Sequence, residues 1–277
     1  MALKWLALVV AIYAVVVLII YVAQTALLFP VSMAGGARAM PHGTERLACE
    51  TPDGEHLQGI RFPSPPGDDR VTVLGFGGNA WNADDMAVYL RELFPAAEVV
   101  TFHYRGYPPS TGRPSAEALL DDAPVFYDCL IKELNPARRI IAVGFSIGSG
   151  VAIRLARERP VDGLILVTPF DTLEGLARHH YGWLPVGLLL RHHMFPVDEL
   201  REVSAPVALI VAERDSIIPK QRTAPLRKAA RNLVMDQIIP GAGHNDVYAN
   251  PDFTRSMHHA MELLKDQDKA TQFPMQE

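Results

Sequence analysis

A serine between two glycines is the strongest chemical signal in the sequence. Gly144, Ser146 and Gly148 have the spacing Gly-x-Ser-x-Gly, and Ser146 lies directly after the predicted strand Arg139–Phe145 and directly before the helical pattern Ile147–Arg159. A serine on such a strand-to-helix turn has a strained backbone, and its neighbours two positions away must be small because strand and helix crowd together there. The pattern predicts a nucleophilic hydroxyl at the edge of a sheet. The alternative is a glycine-rich turn that binds nothing.

A serine hydroxyl is a weak nucleophile at neutral pH and needs a base that an acid orients. His244 lies in a glycine-rich loop after one predicted strand, and Asp215 follows another. The carboxyl ends of strands are where open α/β sheets form their sites. We therefore predict a catalytic triad of Ser146, Asp215 and His244.

Three other acidic residues are rivals for the place of Asp215. Asp171 follows an earlier strand and is expected to cap a helix. Glu213 is close to Asp215 in an extended stretch, so its side chain is expected to point elsewhere. Asp246 is very close to His244 and is expected to cap the last helix. Asp215 is therefore the preferred acid.

Backbone N–H groups must also stabilise the negative oxygen that forms when a carbonyl is attacked. One such group is expected from Ile147, the residue after the serine, and another from the loop after the apolar run Val71–Phe76. In that loop Asn79 is the first choice and Gly78 the second. The alternative is a plain glycine turn.

The elements that must position these residues follow an alternating pattern. Continuous apolar runs are typical of parallel strands that are covered on both faces, and their alternation with helical patterns indicates βαβ units. A turn signal at Thr51–Gly54 predicts a leading antiparallel hairpin. The sequence thus predicts an α/β fold with a mostly parallel central sheet and helices on both faces. The predicted strands are Arg46–Cys49, Leu57–Phe62, Val71–Phe76, Glu98–Phe102, Arg139–Phe145, Leu164–Val167, Val207–Ala212 and Met235–Ile239, and the predicted helices are Asp84–Phe94, Ala116–Leu134, Ile147–Arg159, Ala224–Ala230 and Thr254–Leu264.

The segment 168–203 interrupts this alternation. It has three prolines, no strand signal and a very apolar middle over Trp183–Leu190. We predict a short helical cap over the site. The alternative is one ordinary covering helix with a long approach loop.

The amino-terminal segment is apolar enough to cross a membrane. The 25 residues Trp5–Phe29 carry no charge, and apart from two tyrosines only Gln24 and Thr25 interrupt the apolar run. As a helix this stretch spans roughly 37 Å, which exceeds a hydrocarbon core of about 30 Å. We predict a single-pass transmembrane anchor over residues 1–30 and one folded domain over residues 31–277.

A cleaved signal peptide is the alternative to an anchor. The small residues of Ser32–Ala39 would supply the cleavage site, although signal peptides have apolar regions of only about 7–15 residues. Lys4 lies on one side of the segment and Arg38 and Arg46 on the other. These charges nearly balance, so the sequence does not specify the side of the membrane on which the domain lies.

Composition excludes several classes of protein. The 26 basic and 31 acidic residues give a net charge of −5, so binding to nucleic acid is not expected. Cys49 and Cys129 are too few for a disulfide framework or a four-cysteine zinc site. We expect two free thiols, with one bridge possible if the domain faces an oxidising compartment. Adjacent histidines point apart on a helix, and we expect neither a metal nor a cofactor. The adjacent pairs are His179–His180, His192–His193 and His258–His259.

With these motifs the sequence resembles the membrane-anchored α/β-hydrolases of the Bem46-like type, related to the ABHD13 and ABHD17 groups and to the serine aminopeptidase-like hydrolases. Phe76–Asn82 is similar to the family's Phe-His-Gly-Asn-Ala-Gly-Asn. Tyr104–Tyr107, with Ser110 and Gly112, is similar to its Tyr-Arg-Gly-Tyr-Gly-x-Ser-x-Gly. The likeness covers nearly the whole chain, and the three predicted triad residues fall where the family's triad falls. It implies an α/β-hydrolase fold after one transmembrane helix.

Three positions depart from the family pattern. Gly77 replaces a histidine, which is expected to loosen the oxyanion loop, and Trp81 replaces a glycine, which is expected to narrow an acyl pocket. His103 replaces an aspartate. Arg105 is structural in the family, and the same role is expected here.

The triad and the resemblance together imply a serine hydrolase that cleaves carboxylic esters or thioesters, with a small-molecule or lipid acyl substrate. One alternative is an aminopeptidase-like peptidase, which needs a carboxylate near the site to hold a free α-amino group. Glu174, Asp198 and Glu199 are the candidates in the cap. The other alternative is a catalytically silent scaffold at the membrane.

Overall fold

The eight predicted strands are all present and form one mixed sheet. In the computed structural model, which describes residues 1–65, 67, 70–133 and 138–272, their order is β1-β2-β4-β3-β5-β6-β7-β8. The pair β1–β2 is antiparallel, as the predicted hairpin requires. The pair β2–β4 is antiparallel as well, and the other pairs are parallel. The strands are β1 (Glu45–Glu50), β2 (His56–Phe62), β3 (Val71–Phe76), β4 (Glu98–Phe102), β5 (Arg139–Phe145), β6 (Gly163–Val167), β7 (Val207–Ala212) and β8 (Leu233–Ile239).

Strand order decides which loops meet at the site. In the register of β3 and β5, Phe76 pairs with Gly144, so the loop after β3 leaves the sheet beside the serine turn. The strands β6, β7 and β8 follow β5 as consecutive neighbours. The loops after β7 and β8 therefore leave the same edge of the sheet as the turn after β5, and these are the loops that carry Asp215 and His244.

Helices cover both faces of the sheet. One apolar core includes Phe126, Val151 and Leu226, and the other includes Leu90 and Met257. The predicted helix Ala116–Leu134 corresponds to α4, and its predicted end at Leu134 lies outside the described residues. The helices are α1 (Ala2–Leu28), α2 (Val31–Ala34), α3 (Ala83–Leu93), α4 (Ala116–Glu133), α5 (Ile147–Glu158), α6 (Leu173–His180), α7 (Val186–Leu189), α8 (Pro196–Leu200), α9 (Lys220–Ala229) and α10 (Pro251–Gln272).

The segment 168–203 contains the three short helices α6, α7 and α8 and no described strand. It is therefore not the single covering helix of the alternative. Leu173, Leu176 and Tyr181 line the cavity that contains Ser146. The segment lies over the predicted serine, and we call residues 168–203 the cap.

The amino-terminal helix α1 runs without interruption for 27 residues. It is the one helix among the described residues that is long and apolar enough to cross a membrane, a property that signal sequences share. Most of its large apolar side chains are exposed, whereas Gln24, one of the two polar residues predicted to interrupt the run, is buried. Gln24 is buried because it contacts the cap, as described below.

A disulfide joins Cys49 at the end of β1 to Cys129 in α4, with a Cα–Cα distance of 6.1 Å. The expectation of two free thiols is therefore wrong. The two cysteines are 80 residues apart, so no local pattern indicated the pairing. The fold brings them together because α4 packs across β1.

Candidate active site

The serine lies on a strained turn between β5 and α5. Ser146 has φ 52° and ψ −118°, a backbone conformation that residues other than glycine rarely adopt. Its N–H donates a hydrogen bond to the carbonyl of Val167 in β6. A Cβ at Gly144 would lie 2.5 Å from the Gly148 carbonyl oxygen, and a Cβ at Gly148 would collide with the Phe76 carbonyl oxygen. Both glycines of the motif are therefore required by close backbone contact, as the spacing predicted.

The three predicted triad side chains lie within hydrogen-bond distance of one another. His244 Nε2 is 3.2 Å from the Ser146 hydroxyl oxygen, and His244 Nδ1 is 2.8 Å from Asp215 Oδ2. The imidazole is 8% exposed, so solvent competes little for these contacts. The geometry lets the imidazole accept the serine proton while the carboxylate holds its other nitrogen.

Backbone donors fix the acid in place. Asp215 Oδ1 accepts hydrogen bonds from the N–H groups of Ile217 and Ile218, at 2.9 and 2.6 Å. The other oxygen, Oδ2, remains directed at His244. The carboxylate therefore has one oxygen for the loop and one for the imidazole.

Two of the rival acids hold the loop that carries His244. A carboxylate oxygen of Glu213 accepts a hydrogen bond from the Gly241 N–H, and one of Asp246 accepts from the Gly243 N–H. Glu213 thus points away from the imidazole, as expected. The prediction that Asp246 caps the last helix is wrong. Asn250 instead accepts the hydrogen bond from the Asp252 N–H at the start of α10.

The third rival acid also has a different partner from the one expected. Thr172 caps α6 by accepting a hydrogen bond from the Gly175 N–H. Asp171 instead lies 3.3 Å from Arg222 and accepts a hydrogen bond from the Thr172 N–H. Burial raises the pKa of Asp171, although these partners oppose the shift. Asp171 therefore stabilises the base of the cap and is absent from the contacts of the triad.

The expected oxyanion donors lie beside the serine. Gly78, Asn79 and Ile147 line the same cavity as Ser146, and a Cβ on Gly78 would lie 3.7 Å from the Ser146 Cβ. None of the three backbone N–H groups donates a hydrogen bond to another described residue. They are therefore available to a bound oxygen. The order of preference between Asn79 and Gly78 remains a prediction.

Two tyrosines that the sequence reasoning did not place in the site support this loop. The Tyr104 hydroxyl donates a hydrogen bond to the Gly77 carbonyl at 2.9 Å, and the Tyr107 hydroxyl donates to the Asn79 carbonyl at 2.6 Å. Burial raises the pKa of both tyrosines above the ordinary range, so both remain donors. The Tyr-Arg-Gly-Tyr segment was the available signal. Its arginine, Arg105, pairs with two aspartates elsewhere and is structural, as expected.

The cavity above Ser146 has a volume of about 570 Å³ and a mostly apolar wall. This is within the range of roughly 300–1,000 Å³ that is typical of ligand pockets. Trp81, which replaces the family glycine, packs its ring 5.0 Å from Phe145 and 5.1 Å from Tyr248. Burial raises the pKa of the neighbouring Tyr89 to about 12. The tryptophan thus forms part of an aromatic wall of the cavity, and its narrowing of an acyl pocket stays a prediction.

The remaining polar candidates are engaged elsewhere. His103, which replaces the family aspartate, lies 2.8 Å from the buried Asp84. The described residues contain no group of three or more potential ligands placed to hold a metal ion. The cap carboxylates that a peptidase would need are paired with arginines and do not line the cavity. The pairs are Glu174–Arg178, Asp198–Arg201 and Glu199–Arg154.

Known proteins share this fold and parts of this sequence. Residues 71–189 match the family described as alpha/beta hydrolase fold. An uncharacterized Mycobacterium tuberculosis protein is 36% identical over 212 residues, which is 75% of this chain and 74% of that protein. The lysophosphatidylserine lipase ABHD12 of Danio rerio is 31% identical over 224 residues, which is 67% of this chain but only 58% of that protein.

A solved structure gives the same result for the fold. A membrane phospholipase A, described as a bacterial virulence factor, superposes with a TM-score of 0.62 at 15% identity and covers 95% of this chain and 98% of its own. At this identity the likeness shows only that the two folds are similar. The family match and the sequence relatives show common ancestry. The chain therefore belongs to the α/β-hydrolase family, and its sequence is related to the ABHD12 proteins.

Proposed function

We propose that the protein is a membrane-anchored serine hydrolase that cleaves carboxylic ester or thioester bonds of acyl substrates. The observation that carries this proposal is the chain of contacts from Asp215 through His244 to the Ser146 hydroxyl, at 2.8 and 3.2 Å, inside one apolar cavity. Among the described residues that line this cavity, Ser146 is the one with a positive φ and His244 is the one histidine.

The proposed reaction has two acyl-transfer steps. His244 takes the proton of Ser146 as the serine oxygen attacks the carbonyl, and the N–H groups of Ile147 and Asn79 stabilise the oxyanion. Collapse of the tetrahedral intermediate breaks the bond to the leaving group, which receives the proton from His244. A water molecule then repeats the sequence on the acyl-enzyme and releases the carboxylic acid.

The wall of the cavity supports an apolar acyl group as the substrate. Its residues are mainly apolar and aromatic, and the related proteins include a lysophosphatidylserine lipase and, by fold, a phospholipase A. A peptidase is less well supported because Glu174, Asp198 and Glu199 are paired with arginines away from the cavity. A silent scaffold would not require the strained serine.

The helix α1 and the disulfide support a placement in the cell. We propose that residues 1–30 anchor the chain and that residues 31–277 form the hydrolase domain with its cap at 168–203. Disulfides persist in oxidising compartments, so the Cys49–Cys129 bridge supports a domain on the side of the membrane away from the cytosol. Lys4 would then lie on the cytosolic side and Arg38 and Arg46 on the other, so the flanking charges do not add support to this orientation.

Turnover assays test this function. The full-length protein in detergent is expected to hydrolyse p-nitrophenyl acyl esters and to leave aminoacyl p-nitroanilides intact, and Ser146→Ala is expected to lose the ester activity. Turnover of the anilides alone would identify a peptidase instead. Correctly folded protein without turnover of either class would support the scaffold.

A further inference from the structure

A second apolar cavity lies between α1 and the cap. It has a volume of about 170 Å³ and is lined from α1 by residues such as Ile20 and Leu27 and from the cap by residues such as Ala177 and Leu190. An apolar cavity of roughly 150 Å³ is large enough to bind benzene. The space is therefore sufficient for part of an alkyl chain.

This cavity adjoins the one that contains the serine. Leu28 and Tyr181 line both cavities. Leu176 lines the serine cavity and its neighbour Ala177 lines the second. The two cavities therefore adjoin at the carboxyl end of α1, with Leu28 and Tyr181 between them.

Hydrogen bonds fix the cap against α1. The Gln24 side chain donates to the Leu189 carbonyl at 3.1 Å and accepts from the Arg191 N–H at 2.8 Å. The Thr25 hydroxyl lies 2.8 Å from His192 Nε2. The two polar residues that interrupt the apolar run are thus used to hold the cap.

The cap contacts α1 far along its length. The Tyr13 hydroxyl donates a hydrogen bond to the Trp183 carbonyl at 3.0 Å. Only residues 2–12 of α1 precede this contact, and they span about 16 Å, less than a hydrocarbon core of about 30 Å. If α1 crosses the membrane, the tip of the cap must reach the hydrocarbon. Trp183 and Leu188 at that tip are 54% and 87% exposed, as lipid contact requires.

We propose that the cavity between α1 and the cap is an acyl-chain subsite, and that a lipid substrate enters it sideways from the bilayer so that its ester carbonyl reaches Ser146. The membrane helix then forms one wall of the substrate path as well as the anchor. This inference rests on the proposed function for the reaction at Ser146, whereas the binding of the chain is independent of turnover.

Photolabelling tests the binding. The probe is a palmitoyl lysophospholipid with a diazirine at the end of its chain. It is added to full-length Ser146→Ala protein in phosphatidylcholine nanodiscs, because this variant binds the probe without hydrolysing it. We expect labelled peptides from 177–190 in the cap. Ala177→Trp, which fills the cavity, is expected to lower this labelling at least 5-fold, and Leu190→Trp serves if that variant does not fold. His179→Trp, at an exposed position of the same helix, is expected to keep it. Equal labelling in all variants would overturn the subsite.

Chain-length selectivity gives a second test in otherwise wild-type protein. We expect Ala177→Trp to lower the ratio of kcat/KM for p-nitrophenyl palmitate over p-nitrophenyl butyrate at least 10-fold, and His179→Trp to keep the wild-type ratio. An unchanged ratio in Ala177→Trp would contradict the subsite while leaving the serine mechanism standing. Specific cap labelling without any ester turnover would instead contradict the proposed function alone.

Discussion

At the scale of single residues, the candidate site depends on a serine, a histidine and an aspartate whose chemical roles few other side chains can fill. Ser146, Asp215 and His244 were predicted from residue type, loop position and chain order, because each follows a separate strand, and their side chains lie within hydrogen-bond distance of one another. The two supporting tyrosines were missed as part of the site, since a hydroxyl that holds a backbone carbonyl leaves no spacing pattern. Asp246 was assigned wrongly because a carboxylate that accepts a hydrogen bond from a loop N–H leaves no spacing pattern either.

Removing the charge of the triad acid tests its role. Asp215→Asn is expected to lower kcat for an ester by about 10⁴-fold, because the amide favours the wrong tautomer of His244. Glu213→Gln is the matched control, since glutamine still accepts the hydrogen bond from Gly241 and should keep kcat within a few-fold. Steady-state kinetics with circular dichroism as a folding check would measure both. A larger loss in the control would make Glu213 the acid.

The tyrosine hydroxyls are expected to act by positioning the oxyanion loop. Tyr107→Phe removes the hydrogen bond to the Asn79 carbonyl and should lower kcat by roughly 10-fold with little change in KM, less than the roughly 100–1,000-fold loss of a donor itself. Tyr127→Phe, in the buried part of α4, is the control. An effect on KM alone would show that Tyr107 contributes to substrate binding instead.

At the scale of elements, the strands were predictable one by one, whereas the cap was predicted as a segment without the limits of its three helices. The predicted strand limits differ from the observed ones by at most two residues, because buried parallel strands are continuous apolar runs. Helix α9 begins at Lys220, ahead of the predicted start, because its first turn is polar and gave no apolar signal. The helices of the cap are too short to be stable alone and depend on contacts with α1 and α5 that no local pattern encodes.

The polar contacts of α1 are expected to stabilise the cap. Gln24→Leu leaves the Leu189 carbonyl and the Arg191 N–H without their partner, and such losses cost about 1–3 kcal/mol. We expect the Tm in detergent to fall by several degrees, since 1 kcal/mol shifts it by about 2–4 °C in domains of this size. Val22→Ala, at a position that is 68% exposed, should leave it unchanged. Equal Tm values for both variants would mean that the cap is held without Gln24.

At the scale of the whole molecule, long-range contacts decide what the sequence alone left open. The disulfide joins residues 80 apart, so pairing depended on the packing of α4 on β1. The proposed side of the membrane, which the flanking charges left undecided, is argued from the same bridge. Overall architecture was predictable because motif order and strand alternation are local, whereas these two properties are not.

The bridge is expected to stabilise the domain measurably. Reduction should lower the free energy of unfolding in urea by about 2–5 kcal/mol, because the unfolded chain loses a long closed loop. A Cys49→Ser/Cys129→Ser protein should have the lower stability and should not respond to reductant. A wild-type protein with two maleimide-reactive thiols and no response to reductant would contradict the bridge.

Labelling of the serine tests the central claim most directly. Intact-protein mass spectrometry after reaction with a fluorophosphonate probe should show one adduct on the wild-type chain, mapped to Ser146, and none on a folded Ser146→Ala protein. Each adduct requires a hydroxyl that His244 has activated. An unlabelled wild type, or equal labelling of the two proteins, would contradict the account.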